Sequence, residues 1–135
     1  AEVVFRIGGT AIITVAYVSK LSSECHAGVT ILNKYNQAVT VAGSYFSKAP
    51  LPRVGDFNEF KIVACELHVT MNLEAGQYSL DVSIGQTTLV NRGGILGKAP
   101  SLGPITIAWD YEHEVAPFLG QVALPEDCRC YLSGK

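Results

Sequence analysis

Apolar and polar residues alternate one by one along most of this chain, which is the period of half-buried β-strands. In the run Gln77 to Ile84, Tyr78, Leu80, Val82 and Ile84 point to one side, and Gln77, Ser79, Asp81 and Ser83 to the other. Before it, Val63, Cys65, Leu67, Val69, Met71 and Leu73 form one face of a long strand whose other face carries Ile62, Ala64, Glu66, His68, Thr70 and Asn72. Glu74-Ala75-Gly76 between the two runs reads as the turn of a hairpin. Thr10 to Val18 predicts a strand entered through Gly8-Gly9, next to a strand-like opening from Glu2 to Ile7. Ala27 to Asn33 and Ala38 to Tyr45 predict two more, joined by residues 34–37. Ile105 to Tyr111 predicts a late strand with Ile105, Ile107, Trp109 and Tyr111 on one face, and Phe118 to Leu124 a last short one between Pro117 and Pro125.

Between these runs lie turn residues. Ser47 to Asn58, with Pro50, Pro52 and Gly55, reads as a loop, and Gly- and Pro-rich Asn91 to Pro104 as a second, longer one. No segment shows the 3.6-residue helical period, and no repeat is visible. Short strands with turn signals every ten or so residues predict an all-β fold, an antiparallel β-sandwich of jelly-roll or immunoglobulin-like kind. The 135 residues suit one domain, 1–135, long enough to close a core without staples. Its opening beside a strand, at Ala1 and without a Met, suggests a module cut from a longer chain.

Composition narrows the class of function. Only 16% of the residues are charged, against 48% apolar, and the formal net charge is −2. The ten Lys and Arg residues are scattered singly, which argues against nucleic acid and anionic membranes as partners, since both require clustered cations. The longest apolar stretch, Ala11 to Val18, is far short of the ~20 residues of a membrane span, so no direct membrane insertion is expected. Of the four cysteines, Cys65 reads as a small core residue. Cys128 and Cys130 are too close in sequence for an easy disulfide and Cys25 has no evident partner, so a reducing compartment fits best.

Candidate chemistry is sparse. His26, His68 and His113 each stand on a separate strand or loop, without the paired spacing of a metal site. Glu66 and His68 share a strand face and lack further ligands, and Glu112-His113-Glu114 falls at a strand end. The serines lack a nucleophile elbow, no cysteine has a base beside it, and Gly8-Gly9 and Gly93-Gly94 form no phosphate loop. Glu66, Asp81 and Asp110 offer carboxylates of the kind any strand-rich chain supplies by chance. The expectation is a protein without catalytic residues, metal or cofactor.

What remains is a polar face: Glu66, His68, Thr70, Gln77, Ser79 and Asp81 on two strands read as paired, with Tyr35, Tyr45 and Trp109 as nearby rings. Short hydrogen-bonding side chains beside an aromatic ring suit a sugar, whose hydroxyls need several donors and acceptors and whose C–H faces stack on rings. The candidate carbohydrate-binding set is therefore Glu66, His68, Thr70, Gln77, Ser79, Asp81 and Tyr45. The same residues would also serve as a plain solvated face, and the module as a structural or protein-interaction domain.

Four stretches, in order, carry a family likeness: GGTAIITVAYVSK (Gly8 to Lys20), HAGVTILNKYNQAVTVAGSY (His26 to Tyr45), CELHVTMNLEAGQYSLDVSIG (Cys65 to Gly85) and FLGQVALP (Phe118 to Pro125). Together they resemble the C-terminal carbohydrate-binding domain of the ATP-binding subunit of O-antigen polysaccharide ABC transporters (Wzt-type). The third, with its L-x-x-G-x-Y pattern, is the most telling. The family usually places an aromatic residue soon after the closing Leu-Pro, where this chain has Glu126, Asp127 and Cys128. The resemblance implies a jelly-roll domain in the cytoplasm at the inner face of the inner membrane. It implies recognition of a finished glycan terminus during lipopolysaccharide biosynthesis, and a homodimer made by exchanging a C-terminal strand. In a full-length protein it also implies a transporter membrane subunit as partner. It transfers no binding residue position by position.

Overall fold

The structure, a computed structural model, describes residues 3–19, 26–44, 61–86 and 94–133. These are all-β: eight strands and no helix, with β1 at Val3–Arg6, β2 at Thr10–Ser19, β3 at His26–Leu32, β4 at Ala38–Gly43, β5 at Lys61–Thr70, β6 at Gly76–Gln86, β7 at Gly94–Lys98 and β8 at Leu102–Ala108. They form two sheets, neither closed into a barrel. The larger runs β1-β8-β6-β3-β4, with β7 also on β6; the smaller is the antiparallel pair β2-β5. All neighbours in the larger sheet are antiparallel except β1 and β8, which run parallel.

The alternation read from the sequence decides which side chains turn inward. Ala11, Val15 and Tyr17 on β2 and Val63 and Leu67 on β5 are buried in one cluster with Ala27, Val29 and Ile31 of β3, Tyr78 and Leu80 of β6, and Ile107 of β8. The two sheets therefore share one apolar core. Val29, Ile31, Met71 and Ile107 lie at its centre, each 2% exposed or less. Removing one such aliphatic side chain from water stabilises the fold by roughly 1.5–3 kcal/mol.

Gly8-Gly9 carries the chain from β1 in the large sheet to β2 in the small one. Gly8 sits at φ +82°, a left-handed conformation that favours glycine, and a Cβ on Gly9 would come 3.0 Å from the Arg6 carbonyl oxygen.

Four expectations change. β5 and β6 are not a hairpin, because they belong to different sheets. The backbone past Thr70 stays tied to the glycine turn, Gly8 N–H donating to Met71 O and Met71 N–H to Gly9 O, both at 2.9 Å. Leu73 then bridges Val122, and Glu74 N–H donates to Gln121 O. Met71 and Leu73 fill the core on the way, so residues 71–75 cross from one sheet to the other. Next, the stretch Asn91 to Pro104 is not wholly a loop: Gly94–Lys98 is a strand on the far half of β6, and β8 begins at Leu102. Gly97 allows this close approach, since a Cβ there would lie 3.2 Å from Ile84 Cγ1.

The late strand is shifted three residues toward the N-terminus, ending at Ala108 instead of Tyr111. The Asp110 carboxylate accepts the N–H groups of Glu112 and His113 and turns the chain there. Finally, Phe118 to Leu124 is no strand; its one ladder contact is the Leu73–Val122 bridge. Pro117 and Pro125 lack N–H groups, and Gly120 at φ +108° breaks extension between them. The expected loop Ser47 to Asn58 lies outside the described residues.

Candidate functional site

The split between sheets divides the predicted face. Gln77, Ser79 and Asp81 lie on β6 and turn away from the core, because Tyr78 and Leu80 between them are buried. Glu66, His68 and Thr70 turn outward from β5, with Leu67 buried between them. Since β5 and β6 belong to different sheets and the buried residues between the candidates enter the shared core, the six residues form two groups of three on separate surfaces. Alternation gave the inward and outward assignment correctly; the pairing of the strands was the error. Tyr45, the seventh candidate, lies outside the described residues.

Strand register shows what surrounds each group. Directly opposed residues of antiparallel strands share a face. On the six-stranded sheet Thr30 opposes both Asp81 and Val41, Gly28 opposes Ser83, and Gln77 opposes Thr106. Ser83 also opposes Lys98, and Ser101 Oγ donates to the Asp81 carboxylate. The outer surface across β8, β6 and β3 is thus a field of short hydroxyl and amide groups with one carboxylate and one Lys. Thr30 and Thr106 were missed because they lie on other strands, and only the register brings them beside β6. Ser101 lies between β7 and β8, and Ser83, on the outward side of β6 itself, was left out of the candidate set.

The outer surface of β2-β5 differs. Ile12 opposes His68, Thr14 opposes Glu66, Ala16 opposes Ala64, and Val18 opposes Ile62. His68 Nε2 donates to Glu66 Oε1 at 2.6 Å, so these two polar groups engage each other. Around them Ile12, Val18 and Ile62 stand in solvent, Ile62 at 78% exposure.

The aromatic candidates are dispersed. Tyr35 is exposed in the β3–β4 turn with Lys34 Nζ 5.1 Å from its ring centre. There the Asn33 side chain accepts N–H groups from Tyr35 and Gln37 and closes the turn. Trp109 packs partly against the core, with the Arg6 guanidinium 4.7 Å above its ring. Its buried indole N–H has no hydrogen-bond partner among the described residues. Arg6 is also paired with Glu114, and these residues with Asp110 line an open cleft of about 440 Å³ at the β1 edge. A second opening, about 200 Å³ and mainly apolar, lies between the sheets where Val15 and Tyr17 approach Val82 and Ile84.

Burial holds the Tyr78 phenol above its ordinary pKa, and the negative charges available to Glu74 and Tyr111 push it the same way. Its hydroxyl donates to the Glu74 carbonyl at 2.8 Å, which fits a role in fixing the crossing between sheets. Among the described residues, no three His, Cys, Asp or Glu side chains converge on one point, and no helix is long and apolar enough to cross a membrane. The arrangement on β6 offers hydroxyl donors and acceptors, an amide and a carboxylate on one shallow surface, which is equipment for hydrogen bonding to a polar ligand. Neither a protein-family model nor a curated protein sequence matches the chain.

Proposed function

We propose that this chain is a non-catalytic glycan-binding β-sandwich of jelly-roll kind that recognises an O-antigen-type polysaccharide for export by an ABC transporter. The observation that carries the reading is the outer surface of the six-stranded sheet, where Gln77, Ser79 and Asp81 are joined by Thr30, Ser83, Ser101 and Thr106. Each sugar hydroxyl both donates and accepts, and Ser, Thr and Gln side chains can answer either way. Such hydrogen bonds are worth only about 0.5–1.5 kcal/mol net apiece, so affinity comes from several acting together. The domain works in the cytoplasm at the inner face of the inner membrane, beside the transporter's membrane subunit, and reads the glycan terminus. A glycan array probed with the purified domain tests this: binding to O-antigen-type polysaccharides is expected, and an array without any bound glycan overturns it.

The homodimer implied by the family likeness draws support from the C-terminal segment. After the single bridge at Val122, residues 123–133 join no strand, and Leu124, Tyr131 and Leu132 are exposed, Leu132 at 99%. A strand-length segment outside any sheet, with these apolar side chains exposed, suits exchange into a partner's sheet. Light scattering should find a dimer, and removal of residues 123–135 should give monomers or aggregates; a monomer at high concentration removes the claim. A second reading, a protein-interaction module, is favoured by Ile12, Val18 and Ile62 on the outer face of β2-β5, an apolar patch of the kind that marks interaction surfaces.

A further inference from the structure

Residues 126–133 run without ladder hydrogen bonds and hold two side-chain pairs. Arg129 places its guanidinium 5.9 Å from the Tyr131 ring centre. Cys128 and Cys130 bring their Sγ atoms to 3.9 Å, and both are exposed free thiols. The Cys128 N–H donates to the Asp127 carboxylate at 3.0 Å. Cys65 differs: it is half-buried on the inward side of β5 and packs against the core.

We propose that Cys128 and Cys130 are a reversible dithiol–disulfide pair whose closure withdraws the C-terminal segment from strand pairing. The second half of this statement rests on the strand-exchange reading above; the first does not. In the closing reaction the Cys130 thiolate attacks one sulfur of a small disulfide such as glutathione disulfide. The S–S bond breaks, a mixed disulfide forms, and one glutathione leaves as thiolate. The Cys128 thiolate then attacks the Cys130 sulfur of the mixed disulfide and expels the second glutathione. The protein loses two electrons and two protons, and glutathione disulfide is reduced to two glutathione thiols.

Geometry makes closure and strand pairing compete. A strand rises 3.2–3.4 Å per residue, so Cα atoms two residues apart lie about 6.4–6.8 Å from each other. Disulfides hold their Cα atoms most often at about 5.5–6 Å, with roughly 6.8 Å the usual upper limit. Joining Cys128 to Cys130 therefore shortens the chain locally and turns the intervening peptide groups off the line a ladder requires. Anything that holds the segment extended weakens the disulfide, and the disulfide weakens that pairing by the same factor.

The experiment uses the full chain, equilibrated with glutathione mixtures of increasing oxidised share, alkylated to block remaining thiols, and digested with trypsin. Trypsin cuts after Arg129, between the two cysteines, so an oxidised pair keeps its two peptides joined until reductant is added. The joined peptides are expected to accumulate with oxidised share, in chains that run as monomers on non-reducing denaturing gels, and to be lost in Cys130→Ser. Their absence at every ratio overturns the pair, as does linkage to Cys25 or Cys65 or between chains. At a fixed ratio, the oxidised fraction is expected to fall as chain concentration rises. A flat response with the joined peptides present overturns the competition with strand exchange and leaves the redox pair standing.

Discussion

The two outer faces of this protein come from the same alternation and differ in composition, one richer in hydrogen-bonding groups and the other in exposed aliphatic side chains. Outward from β6 and its neighbours stand Gln77, Ser79, Asp81, Thr30 and Thr106, hydrogen-bonding groups flanked by exposed Val41 on β4 and Val4 on β1. Outward from β2-β5 stand Ile12, Ala16, Val18, Ile62 and Ala64, relieved by Thr10, Thr14, Thr70 and one Glu–His pair. A strand's period tells which residues leave the core, but not which strand lies alongside. Outward residues from different strands make a surface only after pairing is set, and here pairing separated residues that are near in sequence and joined residues that are distant.

The largest effect tests the core that divides the faces. Leu80 and Leu67 come from different sheets and are both buried in the shared cluster. Leu80→Ala and Leu67→Ala should each cost roughly 2–5 kcal/mol in denaturant unfolding. Ser79→Ala, one residue outward from Leu80, should cost less than about 0.5 kcal/mol. If the Ser79 change proves the more damaging, the register of β6 is off by one residue and its outer surface is core.

Next comes the comparison itself. Gln77→Ala with Asp81→Ala should weaken polysaccharide binding at least tenfold, about 1.4 kcal/mol, while the melting temperature stays close to that of the parent. Glu66→Ala with His68→Ala should leave binding within a few-fold of the parent. Titration calorimetry with one cognate polysaccharide decides between the faces: loss from the second pair alone would move the sugar to β2-β5 and leave β6 a solvated surface.

The strands themselves were mostly legible. The inward residues of β2, β5 and β6 follow from period two, and the β3–β4 hairpin follows from two alternating runs separated by a polar turn around Asn33. The fate of Glu74-Ala75-Gly76 was not legible. A polar turn between alternating runs is the same signal whether the chain reverses within a sheet or crosses to the opposite one. What decides is that Met71 and Leu73 continue the apolar face into the core while their backbone groups bond to Gly8, Gly9 and Val122, all distant in sequence. β7 was hidden because Gly94 and Gly97 read as loop residues, although the glycine at 97 is what lets that strand lie against Ile84. Of the candidate site, half of a face was readable from β6 alone; the other half depends on register.

A smaller effect probes the crossing that joins the faces. Tyr78→Phe removes the bond from the phenol to the Glu74 carbonyl and should cost about 0.5–1.5 kcal/mol at neutral pH. The folded pKa of Tyr78 is raised above its ordinary 10.0, so the folded chain keeps a proton that the unfolded chain releases. That contribution is complete below pH 10.0 and is lost as pH rises through the folded value. Unfolding measured from neutral pH upward should show an alkaline decline that is shallower in Tyr78→Phe. Equal slopes would mean that Tyr78 is more open to water than the crossing allows.

The smallest effect is expected at the Glu66–His68 contact on the outer face of β2-β5. Glu66 and His68 lie 2.6 Å apart, with side chains 60% and 57% exposed respectively. Water screens such a pair, and ordering two mobile side chains offsets much of the attraction, so exposed pairs contribute roughly 0–1 kcal/mol. Glu66→Gln keeps the shape and removes the charge. Its cost should therefore fall within that narrow range at low salt and shrink further at high salt, where the screening length drops to about 3 Å at 1 M. Unfolding at the two salt concentrations gives the answer directly. A cost well above about 1 kcal/mol that survives high salt cannot come from a pair standing in water. It would mean that something covers the outer face of β2-β5, and the contrast between an open apolar face and an open polar one would give way to a covered face and an open one.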